Sequence, residues 1–105
     1  MDRMSVIYTT FETEADARRV GEDLVQSRVA ACVNILPQMI SIYRWENEFH
    51  NSHEVVLLAK TTSGKVAQAM QEIRRLHTAD TPAIFEIPTG QVDNDFLQFV
   101  NRNTA

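Results

Sequence analysis

Four side chains could hold a soft or borderline metal ion: Cys32, His50, His53 and His77. Such ions take thiolate and imidazole donors, so spacing decides which of the four can cooperate. His50 and His53 lie three apart in a strand-like stretch, which sends them to opposite faces. The chain has no Cys-x-x-Cys and no helical His-x-x-x-His, so a chelating site would have to assemble between subunits. His77 stands eleven residues beyond Val66, about three turns plus 20° at roughly 100° per residue, at the end of an apolar helical stripe. It reads either as a metal ligand or as a histidine satisfying the last carbonyls of that helix. Cys32, between Ala31 and Val33, reads either as a thiolate donor or as a small buried hydrophobe. The metal candidates are therefore His77 and Cys32.

A second group has the character of a pocket or a subunit contact. Glu54 and Lys60 share one face of a strand, with Val56 and Leu58 between them. They would either mark the two ends of a pocket wall or stand as solvated strand ends. Tyr43 and Trp45 share a face near a hairpin tip, where aromatics pack against a neighbouring subunit or stack a ligand. For catalysis the chain offers no Gly-rich phosphate loop, no nucleophile elbow and no carboxylate pair beside a histidine. The expectation is a protein that is not an enzyme.

These residues need elements to hold them. Ser5–Thr10 is rich in β-formers and predicts a first strand. From Thr13 the apolar period becomes helical, through Ala17, Val20, Gly21, Leu24 and Val25, with Thr13 as N-cap. Gly21 inside that helix implies a close approach to the sheet. Val29–Leu36 and Ile40–Trp45 predict one long strand broken locally at Pro37. Glu46-Asn47-Glu48 reverses the chain, with Asn47 in a left-handed position, and Glu54–Thr61 returns. A helix follows from Thr62 or Ser63 to His77, then a strand at Ala83–Ile87 and a terminal helix at Asp95–Asn101. The order β-α-β-β-α-β plus a helix is the ferredoxin-like α+β arrangement, in a single domain covering residues 1–105.

The central strands do not alternate between polar and apolar residues. Val33 and Ile35 point one way, Cys32 and Leu36 the other; Val55 and Leu57 oppose Val56 and Leu58. A sheet apolar on both faces needs cover on both, and 105 residues cannot supply it. The pattern therefore predicts an obligate oligomer, without choosing dimer or trimer. The alternative is a monomer whose third helix caps the open face. A net charge of −4, with 44% hydrophobic and 23% charged residues, disfavours nucleic acid as a partner and argues against disorder. The N-terminus reads as neither signal peptide nor membrane anchor, and a lone cysteine fits a reducing compartment, so a cytoplasmic location is expected.

The phrase Ala30-Ala31-Cys32-Val33-Asn34-Ile35 resembles the second strand of the divalent-cation tolerance (CutA) family. Tyr8-Thr9-Thr10, Ser41-Ile42-Tyr43-Arg44-Trp45-Glu46, Glu54, Lys60-Thr61, His77 and Pro82 follow that family's order across almost the whole chain. The resemblance implies a ferredoxin-like homotrimer, an association with divalent-metal tolerance and copper binding, and a likeness to PII-type signalling trimers. A PII-like trimer binding a small molecule or protein partner in its intersubunit clefts is the alternative function. Three departures stand out. Ala79 occupies the tyrosine position of the family's His-Pro-Tyr-x-x-Pro, Asn47 replaces a turn glycine, and Phe96 and Phe99 replace Tyr and Trp.

Overall fold

The structure, a computed structural model, describes residues Met1–Ala105. Its elements run β1 (Met4–Phe11), α1 (Glu14–Gln26), β2 (Cys32–Trp45), β3 (Glu48–Thr62), α2 (Val66–Leu76), β4 (Ile84–Pro88) and α3 (Asn94–Asn103), with one 3₁₀ turn at Ser63–Lys65. The four strands form one antiparallel sheet in the order β2-β3-β1-β4. This is the expected ferredoxin-like α+β fold with its appended helix.

Thr13 caps α1 as expected: its Oγ1 accepts a hydrogen bond from the Asp16 amide at 3.1 Å. The helix buries Ala17, Val20, Gly21 and Leu24. A Cβ on Gly21 would lie 3.0 Å from Val33 Cγ2 and 3.3 Å from Leu57 Cδ1, so the glycine is there for the close approach that its position implied. Leu57 joins Ile7, Phe11, Leu24, Ala59, Ala69 and Ile73 in one core between sheet and helices.

Four boundaries differ from expectation, one of them the start of α2, since Ser63–Lys65 is a 3₁₀ turn and the α-helix begins only at Val66. Val29–Ala31 are not strand, because Val29 and Ala30 donate back to the Leu24 carbonyl, each at 3.0 Å. Arg28, with a left-handed φ of 62°, turns the chain so that these amides close the end of α1. The hairpin turn has two residues rather than three, since Trp45 pairs with Glu48. Both turn residues are left-handed, Glu46 at φ 49° and Asn47 at φ 66°, as such a tight hairpin requires. Because so tight a turn must pair at once, β3 begins at Glu48 and not at Glu54, recruiting polar Asn51, Ser52 and His53 into the ladder. The predicted break at Pro37 is a one-residue bulge, with Leu36 opposite Val56 but Met39 opposite Glu54.

The β1 ladder on β3 ends at the pair Phe11–Val55. Beyond it, β2 and β3 continue as a two-stranded arm, and the molecule measures 46 × 26 × 22 Å. The arm is apolar on both sides. Ile40, Ile42 and Phe49 are 66%, 67% and 69% exposed, and Tyr43 and Trp45 are exposed on the opposite side. On the face of the sheet away from α1 and α2, Leu36, Phe85 and Ile87 are also exposed. The third helix does not cover them. It buries Val100, while Asn101 clasps the backbone of Asp2 through two hydrogen bonds of 3.0 Å.

Candidate functional site

A cleft of about 840 Å³ opens where the root of the arm meets the end of β1 and the loop from α2 to β4. Tyr8, Thr10 and Glu12 come from β1 and its end, Tyr43 and Trp45 from β2, Glu54 from β3, and His77 to Ala83 from the loop. The register explains the meeting. Thr10 of β1 pairs with Val56 on β3, two residues from Glu54, and Tyr43 of β2 pairs with His50 further along β3.

His77 fastens the loop. Its ring stacks on Phe11, with centroids 4.3 Å apart and planes 14° from parallel. Nδ1 accepts from the Ala79 amide at 3.0 Å. The proton therefore sits on Nε2, which donates to the Thr10 carbonyl at 2.7 Å. Both ring nitrogens are thereby engaged, Nε2 through its proton and Nδ1 through its lone pair, and neither is free for a metal. The helix-carbonyl reading also changes, because Arg19 Nη2 takes the Leu76 carbonyl at 3.1 Å while His77 reaches across to β1. Ala79, standing at the family's tyrosine position, contributes its backbone amide to this latch.

The remaining candidates divide between two places. Tyr43, Trp45 and Glu54 line the cleft with His77. Tyr43 stacks on His50 at 5.5 Å, and Glu54, partly buried along its length, keeps its carboxylate oxygens in contact with solvent. Cys32 and Lys60 lie elsewhere. They pair with each other four ladder positions from Val56, the partner of Thr10. Lys60 Nζ donates to Asn34 Oδ1. Burial pulls the Lys60 pKa below the ordinary lysine range, with only the Coulomb interaction with Cys32 opposing it. Lys60 and Cys32 do not line this cleft with Glu54 and His77.

Within the chain no three His, Cys, Asp or Glu side chains converge as a metal-binding group. The cleft also takes in Tyr8, Thr10, Glu12 and Asp80, which the sequence does not single out as candidates. Tyr8 stacks on Phe85 at 4.7 Å and donates its hydroxyl to Met39 Sδ at 3.4 Å. The motif Tyr8-Thr9-Thr10 was in view only as a strand end; the pairing of β1 with β3 is what carries it to the cleft.

The family model described as CutA1 divalent ion tolerance protein matches residues 5–103. Among curated relatives, the divalent-cation tolerance protein CutA of Thermus thermophilus is 35% identical over 100 residues, covering 95% of this chain and 97% of its own. Protein CutA of Homo sapiens is 31% identical over 101 residues, which is 96% of this chain but 56% of the human one. Among solved structures, the divalent ion tolerance protein CutA1 from Ehrlichia chaffeensis superposes with a TM-score of 0.96 at 39% identity, covering 100% of this chain and 98% of that one. The periplasmic divalent cation tolerance protein CutA from Archaeoglobus fulgidus superposes with a TM-score of 0.93 at 29% identity, covering 97% and 99%.

Proposed function

The chain belongs to the CutA1 divalent ion tolerance family, and from that membership we propose that it acts in metal tolerance as a non-enzymatic homotrimer that binds divalent ions, copper among them, between its subunits. The observation that carries this reading is where the apolar surface and the unused donors lie. The open sheet face and the arm present Leu36, Ile40, Ile42, Phe49, Phe85 and Ile87 to solvent on both sides of the sheet, apolar surface of the kind that marks a contact with another subunit. Cys32, a soft donor that makes no internal hydrogen bond, is half-buried on that same open face. A junction of subunits is thus where a donor set absent from a single chain would be completed.

The test is calorimetric titration of the purified assembly with Cu(II), at pH values either side of the ordinary histidine pKa of about 6.5, for the native protein and for Cys32→Ser. Saturable binding at micromolar concentration that weakens in the variant is the expected result. No saturable binding removes the metal reading. No helix is long and apolar enough to cross a membrane. The proposed location is the cytoplasm, where the single thiol stays reduced; fractionation that places the native protein in another compartment overturns it.

The cleft favours a second reading, that of a PII-like trimer that takes a small organic molecule or a protein partner. Its volume of about 840 Å³, with aromatic walls, exceeds what a metal ion needs and matches an organic ligand. Native mass spectrometry of protein taken from cells separates the two. Retained metal supports the first, and a retained organic molecule or partner supports the second.

A further inference from the structure

The loop between α2 and β4 hangs on one hydrogen bond. Residues 78–83 make only that one, from the Ala79 amide to Nδ1 of His77 at 3.0 Å. Thr78 to Thr81 and Ala83 are exposed, and Pro82 is partly buried. The single acceptor that holds this segment is a titratable nitrogen.

The His77 ring itself is held differently. It stacks on Phe11 at 4.3 Å, and Nε2–H donates to the Thr10 carbonyl at 2.7 Å. Neither contact uses a lone pair of the ring, so both survive protonation, and positive charge strengthens the bond to the carbonyl. The Ala79 contact does not survive. A proton from solvent on Nδ1 occupies the lone pair that accepts the amide, and two N–H groups then face each other.

No charged side chain bonds to either ring nitrogen. Glu12 after β1, Glu54 on β3 and Asp80 in the loop line the cleft with His77, as do Tyr8 and Tyr43. On α1, Arg19 holds the Leu76 carbonyl at 3.1 Å and lies 3.5 Å from Asp16. On α2, Arg75 is bound by Glu72, and Arg74 lines a separate groove with Met70 and Ile84. Whatever these charges contribute, the bond that protonation breaks is fixed by the backbone partner of Nδ1.

The geometry points to a pH-sensitive latch: neutral His77 holds residues 78–83 as a wall of the cleft, and the imidazolium releases them while its ring stays on β1. The latch is shut on the alkaline side of the His77 titration and open on the acid side. Its bonds all lie within one chain, so the inference goes beyond both readings above and depends on neither.

Imidazoles change charge between about pH 5 and 8, so NMR of the assembled, ¹⁵N-labelled protein from about pH 8 to about pH 5.5 is the test. The His77 ring nitrogens report tautomer and charge. Exchange of the Ala79 amide, corrected for its intrinsic pH dependence, reports the latch. At the alkaline end we expect an Nε2–H ring and a protected Ala79 amide. Protection should fall by about tenfold, the scale of one hydrogen bond, with the same midpoint as the ring, while the amides of α2 keep theirs. His77→Phe keeps an aromatic ring against Phe11 but has no acceptor, so its Ala79 amide should exchange at the released rate throughout. Should that variant not fold, the native titration decides alone. An Nδ1–H ring at the alkaline end, a ring that stays neutral to the acid end, an Ala79 amide still protected beside the imidazolium or lost at a different midpoint, or native-like protection in His77→Phe would each overturn the latch.

Discussion

His77 shows how a residue with the right chemistry can be fully occupied by structure. Its imidazole combines a stack on Phe11 with one accepted and one donated hydrogen bond, and the three together hold the loop that walls the cleft. A different residue pair reports on pH. Asp23 on α1 faces Glu72 on α2, and when both are ionised Asp23 Oδ1 is buried with no donor. The hydrogen bond to Glu72, and then burial, raise the Asp23 pKa, whereas Arg75 above all holds Glu72 down to about 2. The two signs are opposite. Asp23 contributes stability that is complete below its unfolded value of about 3.9 and lost as pH rises through its raised folded value. Glu72 contributes stability present above about 4.3 and lost as pH falls toward about 2. Asp23→Asn keeps a donor toward Glu72 and removes the charge. Its melting midpoint at neutral pH should exceed the native one by ~1–3 °C, with the gap closing as pH falls through the raised Asp23 value and gone below about 4. Thermal melts across that range check it, and an equal or lower midpoint at neutral pH refutes it.

At the scale of elements, packing overrides propensity in α1. Alanine at position 21 would gain about 1 kcal/mol of helix propensity. Its methyl would sit 3.0 Å from Val33 Cγ2 and 3.3 Å from Leu57 Cδ1, and overpacking of this kind costs about 1–3 kcal/mol. Gly21→Ala should therefore destabilise the protein by about 1 kcal/mol in denaturant unfolding, and adding Val33→Ala should bring part of that back despite the cavity it leaves. A single substitution that stabilises would show that the strand yields freely to the helix. In the arm, the two left-handed residues Glu46 and Asn47 set a two-residue turn, and that turn, more than the polar sequence after it, dictates where β3 begins.

For the whole molecule the issue is what covers the arm and the open face. With Ile40, Ile42 and Phe49 about two-thirds exposed on a two-stranded projection, an isolated chain would present the kind of edge and patch that associates. The proposed trimer should sediment at three times the 12.0 kDa of the chain. The double variant Ile42→Glu, Phe49→Glu should lower that mass at micromolar concentration. It should also reduce the melting temperature by roughly 10 °C or more, since assembly and stability are linked. A native protein that sediments as a stable single chain would overturn the assembly proposal. A double variant of unchanged mass would remove the arm from the interface.

Strand and helix identities, the N-cap at Thr13, the role of Gly21, the bulge near Pro37 and the family were all legible along the chain, because each rests on periodicity, local sterics or a contiguous phrase. Boundaries at Val29–Ala31 and Glu48–His53 were not, since amides returning to Leu24 and a two-residue turn decide them, and neither leaves a mark in composition. Tertiary structure alone separated the candidate residues into two groups. Tyr43, Trp45, Glu54 and His77 meet Tyr8 and Glu12 in one cleft, whereas Cys32 and Lys60 lie at the far end of the ladder. That division depends on strand register between segments tens of residues apart, a relation that no local pattern encodes.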